Sequence, residues 1–156
     1  MNIENLNKWS TLLGNLAVLI GIIFLVLEIN QNTGMMQSET RNSMTENQMS
    51  FTALIVENPD AQELFLKGAG STEISMYEPG ELGKLSFLIN SQLRMWENEW
   101  YQYNQGIFVP NEFEPRMELW RREMRSGRHR QTWSTFRETY SVDFRSLIDS
   151  MVREEN

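Results

Sequence analysis

The chain has 156 residues, no cysteine, and 14 basic against 21 acidic side chains, a formal net charge of −7. Disulfides, thiolate metal sites and cysteine nucleophiles are thereby excluded, and the acidic balance argues against a general nucleic-acid binder, which needs a basic face for phosphate. Subtracting a membrane helix leaves about a hundred residues, enough for one helical bundle and too few for two domains.

Residues 1–8 form a short tail. From 12 to 27 the chain reads LLGNLAVLIGIIFLVL, with Asn15 as the one polar side chain. Extended back to Trp9 the run holds nineteen residues, and at about 1.5 Å each it spans roughly 28 Å, the depth of a hydrocarbon core. Lys8 and Trp9 stand at one boundary as interfacial anchors do, while Glu28, Asn30, Gln31 and Asn32 close the other. The expectation is a transmembrane helix over 9–28. A cleaved signal peptide would be shorter, and LEINQNTGMM offers no small-residue cleavage site. A buried core helix is the other alternative, but the remaining chain is too polar and too short to wrap an all-round apolar cylinder. Lys8 and the α-amino group outweigh Glu4, whereas Glu28, Glu39 and Arg41 sum to −1 on the far side. Positive-inside reasoning then puts the N-terminus in the cytoplasm and the C-terminal region outside it. Gly14, Ala17 and Gly21 fall at i, i+3, i+7, a face of small residues that lets a second membrane helix approach closely, with Asn15 beside it as a hydrogen-bonding group.

Gly34 suggests a kink or helix end just past the membrane. A juxtamembrane helix is expected within 29–57, with Met36, Thr40, Met44, Asn47, Phe51 and Leu54/Ile55 on one stripe. Its methionines, Met35, Met36, Met44 and Met49, do not place three thioethers on one face, so copper binding is not expected. The bundle follows over 58–156. Asn58 and Pro59 open a short helix, Asp60 to Lys67, that Gly68 closes. After the turn-rich stretch 68–80, Leu82, Leu85, Ile89, Leu93, Trp96, Trp100 and Tyr103 recur at helical spacing from Glu81 to about Gln105. Phe113, Met117, Trp120 and Met124 make a further helix ending at Ser126-Gly127. His129, Trp133, Phe136 and Tyr140 repeat the spacing, and Ser141 caps a last helix carrying Phe144, Leu147, Ile148, Met151 and Val152. No segment alternates with period two. The fold class expected is all-α: one transmembrane helix, a juxtamembrane helix, and an aromatic-rich bundle of about four helices.

Three features carry possible chemistry. Glu97 and Glu99 sit among Trp96, Trp100, Tyr101 and Tyr103, where apolar walls would raise a carboxyl pKa and make a general acid. The structural alternative makes the aromatics core and turns Glu97 to solvent beside Arg94; residues two apart do not share a helix face, so no tight dyad forms. His129 is the only histidine; a di-iron bundle needs two Glu-x-x-His pairs, which are absent, and a partly buried packing role is expected. Arg121, Arg122, Arg125, Arg128 and Arg130 fall within ten residues between Trp120 and Trp133. They suit an anionic lipid headgroup or phosphate-bearing ligand, or alternatively the C-terminal end of a helix dipole and pairing with Glu114, Glu118, Glu123 and Glu138. No catalytic, metal or cofactor residues are assigned.

The membrane helix running into LEINQNT, followed by ENQMSF, MWENEWYQYNQGIF, FEPRMELWRREMRS and YSVDFRSLID, resembles an uncharacterised bacterial family of short single-pass proteins with a helical tail. The resemblance covers nearly the whole chain and implies a bacterial inner-membrane location and an all-α tail, with no activity to carry over. The expected role is a membrane-anchored, non-enzymatic interaction module or accessory subunit, in contact with lipid and with a protein partner or a second copy. The alternatives are a sensory domain binding anionic lipid or a small ligand through Arg121–Arg130, and an enzyme using Glu97 or Glu99.

Overall fold

Capping and glycine chemistry set most element boundaries. The computed structural model describes residues 3–108 and 110–153. Among these, six α-helices and one 3-10 turn occur and no strand: α1 (Ile3–Val56), α2 (Pro59–Leu66), α3 (Pro79–Asn104), α4 (Pro110–Met124), α5 (Gly127–Phe136), the 3-10 turn Arg137–Thr139, and α6 (Val142–Arg153). The all-α class holds. The α-amino group of the charge comparison, at Met1, and the last residues of the expected bundle, 154–156, lie outside the described residues.

The chain divides into two units, Met1–Glu39 and Thr40–Asn156. In the first, α1 contains an 18-residue window of mean hydropathy 2.6 with none of it buried, so one helix is long and apolar enough to cross a membrane. The helix runs through Gly34 without ending. A single glycine costs a helix only about 1 kcal/mol relative to alanine, and no proline stands near to turn the chain. Residues 9–28 and 29–56 are therefore parts of one helix, where the sequence suggests a break between them.

In the second unit the last turns of α1 supply Met44 and Ile55 to the interior, with Thr40 and Phe51 half-buried. Met36, Asn47 and Leu54, expected on this stripe, are exposed. Asn58 caps α2, its side-chain oxygen accepting from the Ala61 N–H at 3.1 Å, with Pro59 in the first turn. Gly68 follows at φ +64°, a conformation glycine adopts without strain. Helix α3 begins two residues earlier than the apolar spacing suggests, because Glu78 and Glu81 form a reciprocal capping box. Its stripe is as expected: Leu85, Ile89, Leu93 and Trp96 are buried, with Leu82, Trp100 and Tyr103 packed at the edge.

Gly127 does not end a helix as its position suggests; it opens α5. Its N–H donates to the Ser71 carbonyl at 2.9 Å, and a Cβ there would overlap the Thr72 carbonyl oxygen. Close backbone approach explains this glycine. Ser141 stands before α6 and its carbonyl accepts from the Arg145 N–H at 2.9 Å, while Phe144, Ile148 and Met151 are buried.

The core is an aromatic stack. Trp96 lies against Trp120 with centroids 5.3 Å apart, Phe113 meets Trp120 edge-on at 5.4 Å, and Trp133 tilts on Tyr140 at 5.1 Å. Five α-helices, α2 to α6, contribute beyond α1, one more than expected; α5 packs chiefly on α3. Truncating any one of these large side chains to alanine costs about 3–5 kcal/mol, so isolated helices of this length persist only together.

Candidate functional site

Glu97 and Glu99 lie on α3 and His129 on α5, and each has a structural partner. Glu97 faces the start of α6. Its carboxylate accepts from the Ser141 N–H at 2.7 Å and from Arg94 at 2.8 Å, and the Arg94 guanidinium lies 3.9 Å over the Tyr140 ring and donates to the Thr139 hydroxyl at 2.6 Å. Partial burial opposes the charge, yet the Ser141 and Arg94 hydrogen bonds outweigh it and hold this carboxyl below the ordinary range. The pairing with Arg94 is as expected; the clamp onto α6 replaces the open solvent face.

Glu99 turns inward. It is 2% exposed, turned to Arg116 of α4 at 2.7 Å and to the Gln48 amide of α1 at 3.3 Å. Burial pushes its pKa up against the pull of Arg116. Its second oxygen is buried and unpartnered. The two glutamates thus address different elements, and no dyad forms between them.

His129 is fully buried, where partial burial was expected. Its Nδ1 lies 2.7 Å from the Ser126 hydroxyl, its Nε2 lies 3.1 Å from Gln92 Oε1, and its ring stacks on Trp96 at 6.0 Å. A neutral ring brings one donor and one acceptor nitrogen to these two contacts, and the Ser126 hydroxyl also donates to the Glu123 carbonyl at 2.9 Å. Burial, with the nearby Arg128 charge, pushes the pKa down to about 3. Glu123 stands 3.9 Å away. Among the described residues no three histidine, aspartate or glutamate side chains group around a point fit for a metal ion.

The arginine run does not form one patch. Arg128 is buried, donating to the Phe65 carbonyl and lying 4.7 Å from the Phe65 ring, and so belongs to the packing of α5 on α2. Arg121 pairs with Glu118 at 2.5 Å and is half-buried, as is Arg130, whereas Arg122 and Arg125 are exposed. Consecutive positions on α4 and α5 fan around two helix axes, and a charge run in sequence does not reveal this. In the first unit Gly14, Ala17 and Gly21 are all exposed, and a Cβ built on Gly14 or Gly21 meets nothing within 4 Å. That face is open.

Sequence reasoning missed Gln48, Gln92, Arg116 and Ser126 as partners of the buried Glu99 and His129. Except for Ser126, three residues from His129, their signal is pairwise across helices 17 to 51 residues apart, and periodicity within one helix does not report it. Compared with family models, with curated proteins and with solved structures, the chain matches none.

Proposed function

We propose that the protein is a membrane-anchored, non-enzymatic interaction module, an accessory subunit or self-associating chain of the bacterial inner membrane. On this reading the N-terminus is cytoplasmic and the bundle periplasmic, following the positive-inside balance around residues 9–28. It touches lipid along α1, and a protein partner or second copy meets the Gly14, Ala17 and Gly21 face. No nucleic acid is involved.

The observation carrying this reading is the exposure of residues 12–27. Sixteen residues, fifteen of them apolar or glycine, form a cylinder on which nothing is packed. Leaving a single leucine or isoleucine in water costs about 1.5–3 kcal/mol relative to an apolar setting, so the segment calls for lipid or for another helix. Further support comes from Glu97, Glu99 and His129, each engaged in holding helices together.

A chain without cysteine permits a direct test. Gly14→Cys, Ala17→Cys and Gly21→Cys are expected to form oxidative crosslinks in native membranes, to a second copy or a constant neighbour. Leu12→Cys and Leu19→Cys, on the opposite face, should not. Equal yields at all five positions, or recovery of the whole chain in a detergent-free supernatant after ultracentrifugation, would falsify the proposal.

A further inference from the structure

Residues 40–56, the last turns of α1, are lightly embedded in the second unit. Of their side chains only Met44 and Ile55 are buried, with Thr40, Phe51 and Ala53 half-buried. Among the described residues, Met44 is the one buried side chain that α1 gives to the contiguous apolar core. In the shorter α5, by contrast, Gly127, Arg128, His129, Thr132 and Trp133 are all buried. The remaining ties of this stretch are few. Arg41 meets Glu112 at 3.3 Å on the surface, where ion pairs hold weakly. Gln48 reaches Glu99 at 3.3 Å, and Phe51 touches Phe65 of α2 edge-on with centroids 6.1 Å apart.

Lifting this stretch away strands no charge. Glu99 keeps Arg116 at 2.7 Å on the bundle side. Its second oxygen, shut in without a partner, would meet water, which offsets part of the cost of exposing Met44 and Ile55. The aromatic chain Trp96, Trp120, Phe144, Trp133 and Tyr140 lies wholly beyond α1 and needs nothing from it. A pivot is also present. Glu57 and Asn58 alone separate α1 from α2, and Pro59 holds Asn58 extended, at φ −115° and ψ 102°, so the two helices cannot fuse.

We propose that residues 40–56 of α1 are a strap that swings off the bundle about Glu57 and Asn58 while α2 to α6 stay folded, uncovering Met44, Phe51, Ile55 and the Glu99–Arg116 pair. The strap lies within the second unit, and the proposal is independent of the anchor reading.

The test treats the full chain, in nanodiscs of zwitterionic phospholipid, with dilute hydrogen peroxide and follows sulfoxide at each methionine by peptide mass spectrometry. Peroxide gives one oxygen atom to a thioether it can reach and leaves as water. Met49 is 67% exposed, whereas Met44 and Met124 are 3% and 1% exposed, so a closed bundle protects the last two alike. Met44 is expected to oxidise at least about tenfold faster than Met124, because local opening is far more frequent than global unfolding. Arg41→Cys with Glu112→Cys, bridged by bismaleimidoethane across the surface ion pair, should slow Met44 to the Met124 rate and leave Met49 unchanged. The same two cysteines capped singly with N-ethylmaleimide should leave Met44 fast. Equal oxidation of Met44 and Met124 in the unmodified chain overturns the proposal. So does fast Met44 oxidation that persists in the bridged chain.

Discussion

The guanidinium of Arg116 on α4 meets the carboxylate of Glu99 on α3 at 2.7 Å, with the glutamate side chain 3% exposed. Gln48 of α1 donates to the same oxygen, so three helices converge on one interior charge. Breaking a buried pair from one side leaves an uncompensated charge and costs about 3–5 kcal/mol, whereas replacing both partners by apolar groups is often close to neutral. Arg116→Met should therefore destabilise the full chain by an amount in that range, and Glu99→Leu combined with Arg116→Met should recover much of it. Urea unfolding followed by tryptophan fluorescence distinguishes these outcomes. Equal losses in the single and double variants would refute the idea that the stranded charge dominates.

His129 makes a pH-dependent contribution whose sign follows from its depressed pKa. The unfolded chain takes up a proton near the ordinary value of 6.5, while the folded chain does so only at about 3. Between those values the unfolded state binds more protons, so stability falls as pH drops from about 6.5 toward 3, by up to about 1.4 kcal/mol per pH unit. Glu99, with its raised pKa, acts in the opposite sense as it protonates. Comparing variants separates the two: His129→Gln, which cannot charge, should show a shallower loss between pH 6.5 and 4.5 than the wild type. Superimposable pH profiles would count against the assignment.

Two glycines should respond oppositely to the same substitution. At Gly127 an added Cβ overlaps the Thr72 carbonyl, so Gly127→Ala is expected to destabilise by about 1–3 kcal/mol through a forced backbone shift. At Gly83, inside α3, a Cβ meets nothing within 4 Å. There Gly83→Ala should stabilise by about 0.5–1 kcal/mol through reduced unfolded-state freedom and better helix propensity. Thermal melts of the two variants in one detergent provide the measurement.

The exposed apolar segment of α1 predicts a depth-dependent response to charge. An arginine near the centre of a membrane helix costs about 2.5–3.5 kcal/mol on insertion scales. Leu19→Arg should thus lower the membrane-extracted yield far more than Asn7→Arg in the flanking tail. Similar extraction of both would show that the segment does not lie in a hydrocarbon layer.

Helical periodicity was legible wherever a core stripe is apolar. Leu85, Ile89, Leu93 and Trp96 are buried as their spacing predicts, and so are Phe113, Trp120 and Met124. Asn58 and Pro59 announce α2 because capping acts through neighbours in sequence. The polar interior was not legible. Nothing around Glu99 says that its partner is Arg116, and a methionine- and threonine-containing stripe on α1 left Leu54 and Ile55 indistinguishable until the bundle selected Ile55. Gly127 carries the usual sequence signal of a terminator, a glycine after a helix. The actual cause, a neighbouring strand of backbone at Thr72, lies 55 residues earlier in the chain. The arginine run misled for a related reason, since a linear string shows charge density but not the direction in which each side chain leaves its helix.

An aromatic core of stacked rings is forgiving: sliding α4 along α3 by one turn would set ring against ring again, with little loss of apolar contact. The Arg116–Glu99 pair removes that freedom, because the displaced arrangement would maroon a carboxylate among tryptophans. A single ion pair can in this way act as an alignment pin, choosing one helix registry from several that hydrophobicity alone would tolerate.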